Sequence, residues 1–263
     1  MKILREPVED MWSIIFLFGH LFLQLGGILT GDEYAILFFI FLLWMTLRAA
    51  ALVQHNHVHL PVFYGKVPNE IFSIACFFAC GVPCDVYLVH HVVGHHRYLN
   101  QPGQDPSSIF DFPGARYPDR PVHVWRYVMT FPYRAITWSV RFLVRQATMT
   151  VRRRFYRSLV ILTLLVVPLF YLHPLKSLCF VGFPWVLVWF FLGYNNYHHH
   201  AGCDMKSIDR TSWSWLKSKG IPDFEIGYHA AHHHSPGTHW SKLFKLCLRL
   251  TLRGRMPSEY VRD

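Results

Sequence analysis

The sequence predicts an all-α integral membrane protein with about four transmembrane helices, and three observations carry that reading. Of the 263 residues, 52% are hydrophobic and 16% charged, against roughly 25% charged in an average soluble domain. The apolar residues gather in long blocks rather than alternating with polar ones. The 18 histidines cluster at the ends of such blocks, at helical spacing. This composition excludes a disordered chain, a coiled coil and a collagen-like repeat.

A bilayer core of about 30 Å needs about 20 helical residues. Four runs approach or reach that length: Met11–Thr30, Tyr34–Val53, Ser158–Leu172 and Leu178–Tyr194. The third is short and extends back through Phe155. The first run has no small-residue cleavage site and passes through Gly31, Asp32 and Glu33 into the second, so it reads as a span rather than a signal peptide. A fifth apolar stretch, Ile71–Val89, is interrupted by Gly81, Pro83 and Asp85. It is expected to be non-spanning or re-entrant, because a crossing would separate the histidines at 55–59 from those at 90–96. The chain therefore reads as one domain over residues 1–263.

Loop charge sets the expected orientation. The turn at Gly31–Glu33 has no Lys or Arg, the link His173–Ser177 has one, and Arg120–Arg157 carries nine arginines. The positive-inside rule then places the N-terminus, the arginine-rich middle, the C-terminus and the histidines in the cytoplasm. The arginine-rich run is expected to form one or more amphipathic helices on an anionic headgroup layer. Net charge is +10, but it flanks lipid-spanning segments, which excludes a nucleic-acid binder. The six cysteines form no CxxC pair. Cys76, Cys80 and Cys84 recur every four residues in an apolar run, as helix packing in a reducing environment would have them.

The histidines form boxes. His55 and His59 are four apart, as are His91 and His95, with His96 adjacent; His229, His232 and His233 are three and four apart. Residues at these spacings share a helical face. A further cluster, Asn195–His200, closes the last apolar run. His20, His123 and His173 stand alone and read as packing or surface residues. His57, His90, His198, His199, His234 and His239 read as supporting or unrelated groups. Imidazole suits Fe, Zn, Cu and Ni. His55, His59, His91, His95, His96, His200, His229, His232 and His233 supply nine nitrogens, more than one tetrahedral or octahedral ion can use. Two ions with four or five histidines each fit the count. No HExxH and no Glu-x-x-His pair occurs, so a zinc peptidase and a soluble carboxylate-bridged di-iron bundle are excluded. Carboxylates behind such ligands orient their N–H groups, and Asp105, Asp204, Asp209, Asp223 and Glu225 are the candidates.

These boxes resemble those of the membrane fatty acid desaturase/hydroxylase superfamily. His55-x3-His59, His91-x3-His95-His96 and His229-x2-His232-His233 match its three histidine boxes. The continuation through Asn100 and Gly103-Gln104-Asp105-Pro106 is similar to the family's HHxxxN…GxDP, and Ser235-Pro236 to its HH-x-P stretch. Asn196-x3-His200 is similar to an element found upstream of box three in acyl desaturases. Two positions depart: Asn56 stands where many members have Asp, and box two has three intervening residues where acyl desaturases usually have two.

The resemblance implies four spanning helices with a cytosolic helical cap carrying a His-rich di-metal site. It implies two iron ions (Fe2+/Fe3+) held by the nine histidines named above, with Asn196 acting through a water. It implies O2-dependent oxidation of an unactivated C–H bond of a lipid chain, foremost fatty-acyl desaturation. Hydroxylation, carotenoid ketolation and terminal-alkene-forming decarboxylation are the alternatives on the same scaffold. A membrane metal transporter or sensor is the alternative of another class; transporters place ligands within spans near the midplane, whereas these lie at segment ends. No iron–sulfur cysteine spacing, haem-binding HPGG or GxGxxG is present, so a separate electron donor of ferredoxin, cytochrome or reductase type is expected. An acidic donor or acyl carrier would dock on the basic face, and charge reversal at Arg152, Arg153 and Arg154 is expected to raise its KM. Trp185, Trp189 and Phe190 are candidates for lining a substrate tunnel, or else for packing.

Overall fold

The computed structural model describes residues 2–110, 120–203, 211–215, 223–256 and 261–262. In chain order the helices are α1 (Pro7–Leu29), α2 (Glu33–His59), α3 (Lys66–Cys80), α4 (Cys84–Tyr87), a π-helical segment (Leu88–His95) and α5 (His96–Tyr98). There follow α6 (Val124–Arg145), α7 (Met149–Leu172), α8 (Pro174–Ser177), a second π turn (Leu178–Gly182) and α9 (Phe183–His200). The chain ends with β1 (Ser214–Trp215), α10 (His229–His234), a 3-10 turn (Trp240–Lys242), α11 (Leu243–Leu252) and β2 (Val261–Arg262). The β1–β2 pair is parallel and is the only named sheet among the described residues.

Four helical stretches among the described residues are long and apolar enough to cross a bilayer: α1, α2, α7 and the continuous run Pro174–His200. Each overlaps one of the four expected runs. The third is longer than its apolar core, because α7 starts at Met149 and takes its arginines into its first turns. Local chemistry fixes several ends. Pro7 opens α1, the Asp32 carboxylate accepts from the Ala35 N–H at 3.0 Å, and Thr148 Oγ1 accepts from the Val151 N–H. The fifth apolar stretch is not one helix. Gly81 adopts φ 68°, a left-handed conformation that glycine takes without strain, and the helices on its two sides meet at 90°.

The chain divides into two compact units, Met1–Tyr87 with Leu143–Trp189, and Leu88–Phe142 with Phe190–Asp263. In the first, Ile28, Leu43, Phe77, Phe78, Leu162, Phe180 and Val181 form the core. Two of its interior polar side chains each make one hydrogen bond: His20 Nδ1 lies 2.8 Å from Thr46 Oγ1, and Gln24 Nε2 donates to the Ala79 carbonyl at 3.2 Å. Trp185 packs over Gly81 and donates to the Phe78 carbonyl at 2.7 Å. Both contacts are the packing role expected as one of its two readings. Cys76 and Cys80 are buried in α3, as the packing reading expected. The arginines of α7 divide in role: Arg154 pairs with buried Asp85, Arg157 pairs with Glu70 at 2.9 Å, and Arg152 donates to the Leu143 carbonyl at 3.1 Å. Arg153 is exposed.

In the second unit α6 supplies buried Tyr127, Phe131 and Ala135. Phe131 packs where a Cβ on Gly193 would lie 3.0 Å away, so the polar end of α9 approaches α6 closely.

Candidate metal centre

Box two is built on a π-helix, and that changes which of its histidines meet. The sequence spacing pairs His91 with His95 on an α-helical face. In an i→i+5 helix the aligned partners are five apart. His91 Nε2 accordingly lies 3.2 Å from His96 Nε2, whereas the His91 and His95 rings stack at 5.5 Å between centroids. The wider turn sends the adjacent histidines to different partners. His96 Nε2 also lies 3.0 Å from His232 Nε2, and His95 Nε2 lies 3.1 Å from His200 Nε2.

His95, His200, His229 and His233 form one cluster. Each offers a ring nitrogen within 4.8 Å of the others, and all four are buried. His229 and His233 face each other through Nε2 at 3.1 Å. The three- and four-residue spacing expected at box three holds, because α10 is an α-helix. His96 stacks on His233 at 4.4 Å between centroids. In the other unit His55 and His59 lie at the C-terminal end of α2 with ring centroids 4.9 Å apart, and His55 Nδ1 meets Asn56 Oδ1 at 3.0 Å.

The loop after α5 builds a cradle for one carboxylate. Leu99 and Asn100 take positive φ values of 44° and 65°, a conformation Asn tolerates better than most residues. The turn lets Asp105 Oδ2 accept from the Asn100 N–H and Oδ1 from the Ser107 N–H, both at 2.6 Å. Oδ2 also accepts from His95 Nδ1 at 2.8 Å. Burial alone would raise the Asp105 pKa. The His95 ring and the two backbone N–H groups outweigh it and hold the carboxyl below its usual range. Gly94 leaves room for this loop: a Cβ there would sit 2.8 Å from Pro106 Cγ.

Ring nitrogens in the cluster are left as bare acceptors. The Asp105 carboxylate only accepts, and so does the Thr211 carbonyl that faces His200 Nδ1 at 2.5 Å. In each neutral ring the proton therefore sits on Nδ1 and a lone pair on Nε2. Two lone pairs facing at 3.1 Å repel unless a proton or a metal ion is shared between them. Burial, followed by the neighbouring histidine rings, depresses the His229 and His233 pKa values well below the usual value. These two rings are then neutral and able to ligate at neutral pH. Four imidazoles without a carboxylate suit a borderline transition-metal ion, so the donor set fits iron and is compatible with metal binding.

The remaining candidates separate. Asn196 donates through Nδ2 to the Ser107 carbonyl at 3.0 Å and to Tyr127 Oη at 2.7 Å. Tyr127 in turn donates to the Ser107 carbonyl at 2.8 Å. Glu225 accepts from the Phe244 N–H at 3.0 Å, and Asp223 precedes it in a turn that its carbonyl closes with the Ile226 N–H. Asp204 and Asp209 lie outside the described residues. Sequence reasoning did not single out Thr211, whose backbone carbonyl leaves no residue-type signal, or Tyr127 and Ser107. His57 meets Ser73 Oγ at 2.9 Å and packs on Phe72, as a supporting group of its own unit.

Residues 34–257 match the fatty acid desaturase family. Comparison with curated proteins gives no match. With that family match over well more than half of its length, four apolar helices and a buried histidine cluster, the chain belongs to the fatty acid desaturase family as an integral membrane, desaturase-like lipid oxidoreductase.

Proposed function

We propose that the protein is an O2-dependent membrane di-iron enzyme that desaturates a fatty-acyl chain. The observation that best supports this reading is the facing pair His95 Nε2 and His200 Nε2, each ring fixed from behind by an acceptor. One ion is assigned to His95, His200, His229 and His233. The family resemblance implies that the second ion takes its ligands from the other histidines of the boxes, with Asn196 acting through a water. When bound, the ions would supply reductive activation of O2 and hydrogen removal from an unactivated C–H bond.

The protein's own contributions are positional. Asp105 and the Thr211 carbonyl hold two rings in the ligating tautomer. Burial of the rings excludes bulk water from the centre. Electrons come from a separate ferredoxin, cytochrome or reductase-type donor. The N-terminus, C-terminus and histidine boxes face the cytoplasm, consistent with the arginine bias of Arg120–Arg157. Residues 71–89 do not cross the bilayer, consistent with the bend at Gly81; a topology reporter fused at Gln101 should read cytoplasmic, and a non-cytoplasmic reading would overturn this.

The deciding experiment is lipid and hydrocarbon profiling of a host expressing the chain beside His95→Ala. A new acyl double bond that disappears in the variant is expected. A hydroxylated, ketone or terminal-alkene product would reassign the outcome, and identical profiles would remove the oxidative reading.

A further inference from the structure

The geometry points to α6 as an interfacial helix that docks on an anionic phospholipid leaflet. Its surface divides into three sectors. Tyr127, Val128, Phe131, Ala135, Ser139 and Leu143 are buried. Trp125, Met129, Tyr133, Ile136, Val140 and Val144 are exposed. Their spacings of four, four, three, four and four residues keep them within one sector of about 100° at 3.6 residues per turn. Arg126, Arg141 and Arg145 are also exposed and flank that stripe on one side, with Thr130 among them.

A water-facing helix keeps its exposed side polar. Here half of the exposed side is apolar over a length of about 28 Å, from 19 steps of about 1.5 Å. Trp125 is 61% and Tyr133 71% exposed, so a continuous apolar strip stands open and calls for a cover. α6 is not among the helices apolar enough to span, although the chain it belongs to is integral to a membrane. A headgroup boundary satisfies both exposed halves together. Trp, Tyr and the aliphatic groups enter the acyl edge, and the arginines reach lipid phosphates. An acidic protein would match the arginines but leave a helix-long apolar strip to be covered by something else. Within the basic run, the lipid contact is assigned to Arg126, Arg141 and Arg145 beside the apolar stripe; Arg152, Arg154 and Arg157 of α7 are engaged within their own unit.

The test uses the full-length protein in nanodiscs of zwitterionic lipid with and without an added anionic phospholipid. Quenching of tryptophan emission by brominated acyl chains is compared between the native chain and Trp125→Phe. Exposed Trp12 and Trp44 of α1 and α2 are quenched in both chains, so the native chain should show a larger quenched amplitude than the variant. Native mass spectrometry then counts retained anionic lipid for the native chain and for Arg126→Gln/Arg141→Gln/Arg145→Gln. Retention should fall about fivefold or more. Equal quenching in the native chain and Trp125→Phe overturns the proposal, whether or not the arginine variant folds. Unchanged lipid retention overturns it too, as does loss of affinity for an acidic carrier protein with lipid retention intact. Neither readout depends on enzymatic activity.

Discussion

His95 Nδ1 stands 2.8 Å from Asp105 Oδ2 with both side chains fully shielded from solvent. Because the Asn100 and Ser107 N–H groups grip the same carboxylate, the ring is anchored to a backbone loop. Asp105→Asn keeps the shape but loses the charge and supplies a donor where an acceptor is needed. Iron affinity, measured by chelator competition, is expected to fall about 10- to 100-fold. Unchanged affinity would leave Asp105 with a role in the loop alone.

Tyr127 joins the Ser107 carbonyl to Asn196. Tyr127→Phe removes one buried hydrogen-bonding group while Asn196 keeps its bond to the Ser107 carbonyl. A stability loss of about 1–2 kcal/mol in a thermal melt is expected, with metal content unchanged. Metal loss at full stability would move Tyr127 into the centre itself.

Gly94 is a packing requirement. An alanine Cβ would lie 2.8 Å from Pro106 Cγ and 3.1 Å from Trp138 Cη2, and a proline ring has little freedom to retreat. Gly94→Ala should cost about 1–3 kcal/mol and lower the metal content by displacing the Asp105 loop. Gly19→Ala, with nothing within 4 Å of its Cβ, serves as the control and should leave both unchanged or slightly raise the melting point.

Arg153 and Arg154 are neighbours in sequence with different duties. Arg154 pairs with buried Asp85 while 42% of its own side chain stays exposed. Discounted for that screening, Arg154→Gln is expected to cost about 1–2 kcal/mol. Arg153→Gln should stay within about 0.5 kcal/mol. Docking of an acidic donor is therefore tested cleanly at Arg153. A KM change seen only with Arg154→Gln would report the broken ion pair.

The apolar helices were legible because lipid demands long apolar runs, and each of the four runs overlaps a helical stretch long and apolar enough to cross a bilayer. The histidine clusters were legible because few roles other than metal binding gather imidazoles at such spacing. Asp105 was legible only as one of five candidate carboxylates, because sequence does not show which of them the fold brings to a ring nitrogen. The pairing of His91 with His96 was not legible, because four-residue spacing reads as an α-helical face and Leu88–His95 is a π-helix. The Thr211 carbonyl was invisible for a simpler reason: every residue carries one.

The most direct measurement is the iron-to-chain ratio of detergent-purified protein, taken for the native chain and for His200→Ala/His233→Ala. Two irons in the native chain and about one in the variant are predicted, since the variant strips two of the four nitrogens from one assigned ion and none from the other. A single zinc per chain, or an iron content that the two substitutions leave untouched, would contradict a paired-iron centre built on these rings.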